Sequence, residues 1–512
     1  MANSKNTFDY IIIGAGASGC VIANRLSANS KNKVLLLEAG GDDTGNQDIS
    51  DIGGFVRLWG TENDWQIKTT PQQGLSEREI VINQGKVLGG STSINAMMYV
   101  RGNRKNFDMW NTLGADGWSY NDVLPYFKKI EKYGQADSEY HGTTGELNIM
   151  ECPDEPMRSE EFLNAAKEAG YKGSSHDYNS EVQEDDPSLL QFHIDKNLNR
   201  ESSATAFLHP VMDRSNLTVI TGAHVSKVVI ENGTATGVVY IKDGLETVVC
   251  ASAEIVVSAG ALASPKILLL SGIGLAEHLR EHSITVNADL PGVGQNLQDH
   301  IQLPIIFRST LTLPNTTLLT GNVLFVRTRK GSEVAPPDMQ INFTPSMPAP
   351  LAPILPDFGG PICIFLAILV QPFSTGYVKL TSADPMANAE VNPNYLHQKA
   401  DIKALTEAVQ IVRKIAGTKA FEKLNAGELA PGSANVEEFI RSQSSTLWHP
   451  AGTCKIGQDA MAVVDSRLRV YGIENLRVAD ASVMPTVTTG NTVAACFMIG
   501  ERAAEMILQD NA

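Results

Sequence analysis

Short, almost purely apolar runs punctuate this chain. In "YIIIGAGASG" (Tyr10–Gly19) an apolar strand runs into a glycine cluster, and Val21, Ile22, Ala23 and Leu26 then fall on one face at helical spacing. "KVLLLEAG" is a second apolar strand, closing at Glu38. "HVSKVVIENGTATGVVYI" (His224–Ile241) reads as two strands about Asn232-Gly233, a strong two-residue hairpin signal. "EIVVSAGALASPKILLLSGIG" (Glu254–Gly274) reads as strand, small-residue turn and helix. Ser264 is expected as its N-cap, Pro265 as its first position and Gly272 as its stop. "PDMQINFTP", "ICIFLAILVQP" and "TGYVKLTS" read as strands, and "DIKALTEAVQIVRKIAG" as an amphipathic helix. A last strand, "NLRVAD", precedes a helix over roughly 492–508 with Val493, Phe497, Ala504 and Ile507 on one face.

At 512 residues the chain is too long for one simple core, so two or more domains are expected. Hydrophobic residues at 43% and charged residues at 19% read as an ordinary soluble protein. A net charge of -16 and a pI near 5.1 argue against nucleic acid or anionic lipid as the main partner. Cys20, Cys152, Cys250, Cys363, Cys454 and Cys496 are scattered. They offer no metal site or disulfide framework and fit a reducing cytoplasm, the expected location. No basic stretch followed by a long apolar run marks a signal peptide at the N-terminus. The most apolar run, Ile362–Val370, is too short for membrane insertion and reads as a buried strand.

Gly14-x-Gly16-x-x-Gly19 sits between strand and helix, as a dinucleotide site requires. The first glycine permits the turn, the second admits a pyrophosphate and the third lets helix pack on strand. The phosphates would sit at the helix N-terminus, with Glu38 accepting from a ribose hydroxyl. An acid there argues against NADP but leaves NAD and FAD open. "QGKVLGGSTSINAMMYVRGN" (Gln84–Asn103) adds a flexible, hydrogen-bonding backbone suited to a flat polar ring, or a plain loop between two helices.

Together these stretches resemble the glucose–methanol–choline (GMC) oxidoreductases, FAD-dependent enzymes acting mainly on alcohols. The glycine triad with Glu38, "GKVLGGSTSINAMMYVRG", "GADGWSYNDVLPYFKKIE", "SAGALASPKILLLSGIG", "PGVGQNLQDH", "LWHPAGTC" and "RVADASVMPTVTTGNT" occur in the family's order. The resemblance implies an α/β fold, α+β overall. A Rossmann-like FAD-binding domain (1–155, 215–300 and 455–512) would interleave with an antiparallel-sheet substrate domain (156–214 and 301–454). It implies FAD contacts from Gly14, Gly16, Ala17, Ser18, Gly19, Glu38 and Ala39, and from Leu88, Gly89, Gly90, Ser93, Asn95, Ala96 and Met97. Trp448, Asp480, Ala481 and Thr492 follow near the C-terminus, with Val225 and Ala259 near the adenine end. Some members attach FAD through a histidine where this chain has Ile94, so non-covalent FAD is expected.

The resemblance also implies that His449 and Asn491 are catalytic. A primary alcohol would become an aldehyde, with the hydride passing to flavin N5 and the hydroxyl proton to His449. An ordinary imidazole pKa near about 6.5 suits that task, and an amide can hold the oxygen in line. Asn491 is also expected to open the last helix, and its N-terminus to face the flavin. His300 and His397 read as packed histidines. Reoxidation by O2 or by a quinone- or dye-like acceptor stays open, as do monomer and homodimer. A non-redox lyase of the hydroxynitrile type remains an alternative. So does a flavin-dependent fatty-acid photodecarboxylase, although "FSTGYVKL" offers no arginine for a carboxylate. A plain NAD dehydrogenase fits the first motif but not the later ones. The proline-rich run Thr344–Pro361 reads as a lid, a channel wall or an oligomer contact, and suggests an apolar pocket for an uncharged aliphatic or aromatic alcohol.

Overall fold

β1 (Thr7–Ile13) buries Tyr10 to Ile13 without a break, the mark of a strand covered on both faces. This computed structural model describes residues 7–134, 138–157, 159–172, 177–329 and 331–511. Residues 1–6, on which the reading of the N-terminus rests, and residue 512 lie outside them. After β1 come α1 (Ala17–Ser27) and β2 (Val34–Leu37), parallel to β1. The chain returns to this sheet with β3 (Leu217–Ile220), β4 (His224–Glu231), β5 (Thr234–Lys242) and β6 (Leu245–Val257), then α2 (Ala263–Leu270). The β4–β5 turn is Asn232-Gly233, at φ 51 and 81 as a two-residue hairpin demands. A second sheet is built from β7 (Ile301–Arg308), β8 (Asn322–Val326), β9 (Met339–Thr344) and β10 (Ile362–Leu369), followed by α3 (Lys399–Ala416). β11 (Leu476–Val478) and α4 (Val493–Asp510) then rejoin the first.

The first sheet runs β4–β5–β6–β1–β2–β3, with β11 on β6. β11, the second half of β6, β1, β2 and β3 are parallel, with α1 and α4 packed together on this layer. The second sheet is antiparallel in the order β7–β10–β9–β8, edged by short strands at Glu428–Ala430 and Ser188–Leu189. Alternation sets its faces. Met339, Ile341 and Phe343 of β9 join the core under α3, and Gln340, Asn342 and Thr344 point to the other side. The fold is therefore mixed α/β, a Rossmann-like layer interleaved in sequence with an antiparallel sheet. Among the described residues no helix is long and apolar enough to cross a membrane.

Two helix starts depart from expectation. Gly260, at φ 85, makes the turn after β6, so α2 begins at Ala263 with Leu262 at the cap position. Ser264 lies inside it, and its hydroxyl instead donates to Asp480 at 2.5 Å. The helix ends at Leu270, before Gly272. Helix α4 has Thr492, not Asn491, at its cap position.

Candidate active site

The three glycines of the first loop answer to three different constraints. Gly14 has φ 98, and a Cβ there would stand 2.5 Å from Ser258 O and 2.9 Å from the Cα of Ala259. A Cβ on Gly19 would stand 1.9 Å from Gly14 O, so only glycine lets α1 approach β1. A Cβ on Gly16 meets nothing within 4 Å, and Gly16 caps α1 without a side-chain bond. The N–H groups of Ala17 and Ser18 therefore open onto space at the positive helix end. Glu38, 6% exposed, accepts from the Ala15 and Gly40 N–H groups at 2.8 Å each. Burial raises its pKa against the pull of these bonds and of the neighbouring Ala39 amide.

The second motif lies across the first. Leu88 N–H donates to Gly41 O at 3.0 Å and Gly89 N–H to Ala15 O at 2.8 Å. A Cβ on Gly90 would stand 2.8 Å from the Cα of Gly16. Gly90 to Ser93 form a 3-10 turn held by Ser93 Oγ on Leu88 O at 2.7 Å. Ile94 is buried with Ile49, Leu58 and Val87. Asn95 is anchored on both sides. Its oxygen accepts from Arg200 at 2.8 Å and from Met97 N–H at 3.0 Å, and its amide meets His193 Nε2 at 3.2 Å. Met97, at φ 61, and Ala96 pack into the small cluster around Phe192 and Phe325. The sequence reading missed Arg200 and His193. Burial, outweighing the pull of Asp51, lowers Arg200 to about 9, and burial next to that cation lowers His193 to about 3.

The C-terminal residues close the same space. Asp480 accepts from Gly260 N–H at 2.9 Å and Ser482 N–H at 2.7 Å, tying β11 to the turn before α2; burial raises its pKa. Ala481 O accepts from Gly452 N–H at 3.1 Å, bringing the histidine segment alongside. Helix α4, entered at Thr492, lies on α1: Ser18 Oγ donates to Cys496 O at 2.7 Å. Val225 stands farther out, two residues after Ala223, whose N–H donates to Glu38 O at 2.8 Å. An open face at Gly16, an uncapped helix N-terminus, a buried acid and a second motif pressed against both fit the pyrophosphate and ribose of a dinucleotide.

His449 stands at the N-terminal end of α4, beside Asn491. Residues 447–451 run antiparallel to 298–300: Gln298 and Ala451 exchange N–H bonds at 3.0 and 2.9 Å, and Leu447 N–H donates to His300 O at 2.8 Å. This pairing sets the two histidines side by side, Nδ1 to Nδ1 at 2.9 Å. On its far side His449 Nε2 meets the Asn491 amide nitrogen at 3.2 Å. Asn491, one residue before the cap of α4, is free to turn its side chain to the histidine. Below, Asp299 accepts from His449 N–H at 2.8 Å and from Thr446 Oγ1 at 2.6 Å, and Tyr395 donates its hydroxyl to the same carboxylate. Burial raises Asp299 to about 6. Trp448 takes φ 61, a strained conformation for a bulky residue, and its ring lies 4.9 Å from that of Trp59.

Burial lowers His449 to about 3, so the imidazole is neutral at any ordinary pH and the usual titration near neutrality does not apply. His300, read from sequence as merely packed, touches the ring of His449, and burial holds it well below its usual range. A surface cavity of about 400 Å³ lies elsewhere, under the proline-rich run, lined by Leu311, Met347, Leu355 and Phe358. None of the site residues above line it.

A fold that packs a dinucleotide loop against one helix and sets a His–Asn pair at that helix's N-terminus defines a class of flavin enzyme. The family profile described as GMC oxidoreductase matches residues 8–302 in its N-terminal part and 372–500 in its C-terminal part, and the chain belongs to this family. It is 38% identical to an alcohol dehydrogenase (acceptor) of Pseudomonas putida, over 98% of this chain and 96% of that protein. It is 36% identical to the mitochondrial choline dehydrogenase of Mus musculus, over 98% and 90%. Among solved structures it superposes on pyridoxine 4-oxidase from Mesorbium loti with TM-score 0.90 at 29% identity, covering 97% and 98% of the two chains. Formate oxidase of Aspergillus oryzae RIB40 gives TM-score 0.90 at 26% identity, covering 99% and 98%. The protein is an FAD-dependent oxidoreductase acting on CH–OH donors, with a small-molecule substrate and a separate electron acceptor.

Proposed function

We propose that this chain oxidises a primary alcohol to an aldehyde, with His449 as proton acceptor and Asn491 holding the hydroxyl oxygen. One observation carries the reading: Asn491, His449 and His300 stand in a row, with 3.2 and 2.9 Å between neighbours. For His449 to accept a proton at Nε2, its own ring proton must sit on Nδ1. His300 Nδ1 is the acceptor that holds it there, which leaves the His300 proton on Nε2. Asp299 fixes the backbone of the base through the His449 N–H. Burial keeps the base neutral and ready, and such a base contributes about 10²–10⁴-fold. Bound FAD supplies the two-electron sink for the carbon-bound hydride. We infer that Gly14, Gly16, Ala17, Ser18, Gly19, Glu38, Ala39, Leu88, Gly89, Gly90, Ser93, Asn95, Ala96, Met97, Val225, Ala259, Trp448, Asp480, Ala481 and Thr492 hold it. With Ile94 where an attachment histidine would stand, it is held non-covalently. We propose two interleaved domains, with the boundaries given above, each carrying one of the two sheets. Oxygen or a quinone-like acceptor would take the electrons onward, in a cytoplasmic monomer or homodimer.

Anaerobic mixing of the holoenzyme with a panel of primary alcohols tests the reading. Bleaching of the yellow flavin by at least one of them is expected. Persistent colour with every alcohol, under conditions where dithionite bleaches it, overturns the proposal.

A further inference from the structure

Strand β9 buries a polar face where an antiparallel sheet usually shows one to water. All six residues from Met339 to Thr344 are buried, Gln340, Asn342 and Thr344 among them. Gln340 has no exposure; its amide nitrogen donates to Asn342 Oδ1 at 2.9 Å, and its Oε1 has no partner. That oxygen lies 3.5 Å from the Cβ position of Gly490, the residue before Asn491. A second amide reaches the same segment. Gln183, 3% exposed, donates from Nε2 to Thr489 O at 3.3 Å, and its Oε1 also lacks a partner. Beside Gln340 and Asn342 in register stand Ile368 and Leu366 of β10, which pack with Trp448.

A buried amide oxygen left unbonded forfeits the interaction it had in water, and such groups are uncommon in folded proteins. Both flank residues 489–490, next to the residue read as holding the reacting hydroxyl. We propose that Gln340 and Gln183 form a subsite for a second, neutral hydroxyl on the substrate, so that the enzyme selects diols or polyols over simple alcohols. A hydroxyl suits either orientation of the Gln340 amide, since it both donates and accepts. Such a subsite would make the substrate space mixed, apolar along Leu366 and Ile368 and polar along Gln340, where the sequence suggests an apolar one. It rests on the role given above to Asn491.

The test is anaerobic flavin reduction by the holoenzyme with matched pairs of equal heavy-atom count. These run from propane-1,3-diol against butan-1-ol up to hexane-1,6-diol against heptan-1-ol. At one chain length or more the diol should reduce the flavin with a second-order rate constant at least about tenfold higher. Gln340→Met, of similar volume, should retain FAD and erase that preference by slowing the diol alone, and Gln183→Met should weaken it. Equal rates within every pair, or an equal loss for both members in Gln340→Met, would overturn the subsite while leaving alcohol oxidation intact. No reduction by any member would overturn the proposed reaction and the subsite together.

Discussion

Asp299 is the residue whose replacement says most about how the base is held. Three donors converge on its buried carboxylate: His449 N–H, Thr446 Oγ1 and the Tyr395 hydroxyl. In Asp299→Ala the two hydroxyls can rotate to other acceptors, but the backbone N–H of His449 cannot. One unpaired buried N–H costs about 1–3 kcal/mol. If the imidazole drifts by ~1 Å as a result, flavin reduction should fall about 10²-fold. Asp299→Asn keeps one oxygen for that N–H and should lose less than about tenfold. The pH profile separates positioning from mere instability. Burial holds His449 at about 3 and lifts Asp299 to about 6, so His449 stays neutral where Asp299 takes up a proton. Protonation gives the carboxyl an O–H that competes with the three donors, and the rate should fall as pH drops through about 6. Stability runs the other way. A raised carboxyl pKa means the folded state binds the proton more readily, so the penalty of the buried charge is present above that pH and fades below it. Stopped-flow reduction across pH should show an acid limb in the wild type and none in Asp299→Asn. A limb that survives unchanged in Asp299→Asn refutes this reasoning.

Glu38→Ala should weaken FAD binding about 10- to 150-fold, the loss of one charge-assisted hydrogen bond of about 1.5–3 kcal/mol, read by flavin fluorescence titration; unchanged affinity removes Glu38 from the site. Acid or heat should release free FAD into the supernatant, because Ile94 cannot form a covalent link, and flavin retained on the precipitated chain would contradict that. Asn491→Ala should slow reduction less than His449→Ala, and the double variant should be less impaired than the two losses summed, since both hold one oxygen; strict additivity would separate their roles.

Much of the nucleotide end was legible because its constraints are local. Gly14 and Gly19 are each required by contacts within a few residues or across one strand pair, Gly16 keeps the space beside the helix N-terminus open, and Asn232-Gly233 needs only its own turn. The base was legible only through the family pattern around "LWHPAGT". The partners of the base were not. His300 lies 149 residues before His449, and only the antiparallel pairing of the two segments joins them. Asp299 stood in plain view in "NLQDH", but three donors from different elements define its task. Helix starts slipped by a residue or two, with Leu262 rather than Ser264 at the cap after the Gly260 turn, and Thr492 rather than Asn491 at the last helix. The polar face of β9 shows as alternation, but alternation alone does not say whether the polar side meets water or a pocket.

The central claim is that His449 takes the hydroxyl proton. Anaerobic stopped-flow reduction of His449→Ala by the best alcohol tests it most directly. The variant should keep its FAD and its fold and reoxidise at the wild-type rate. Its flavin reduction should be slower by about 10²–10⁴-fold. Reduction within a few-fold of wild type would return His449 to a packed histidine and contradict the account.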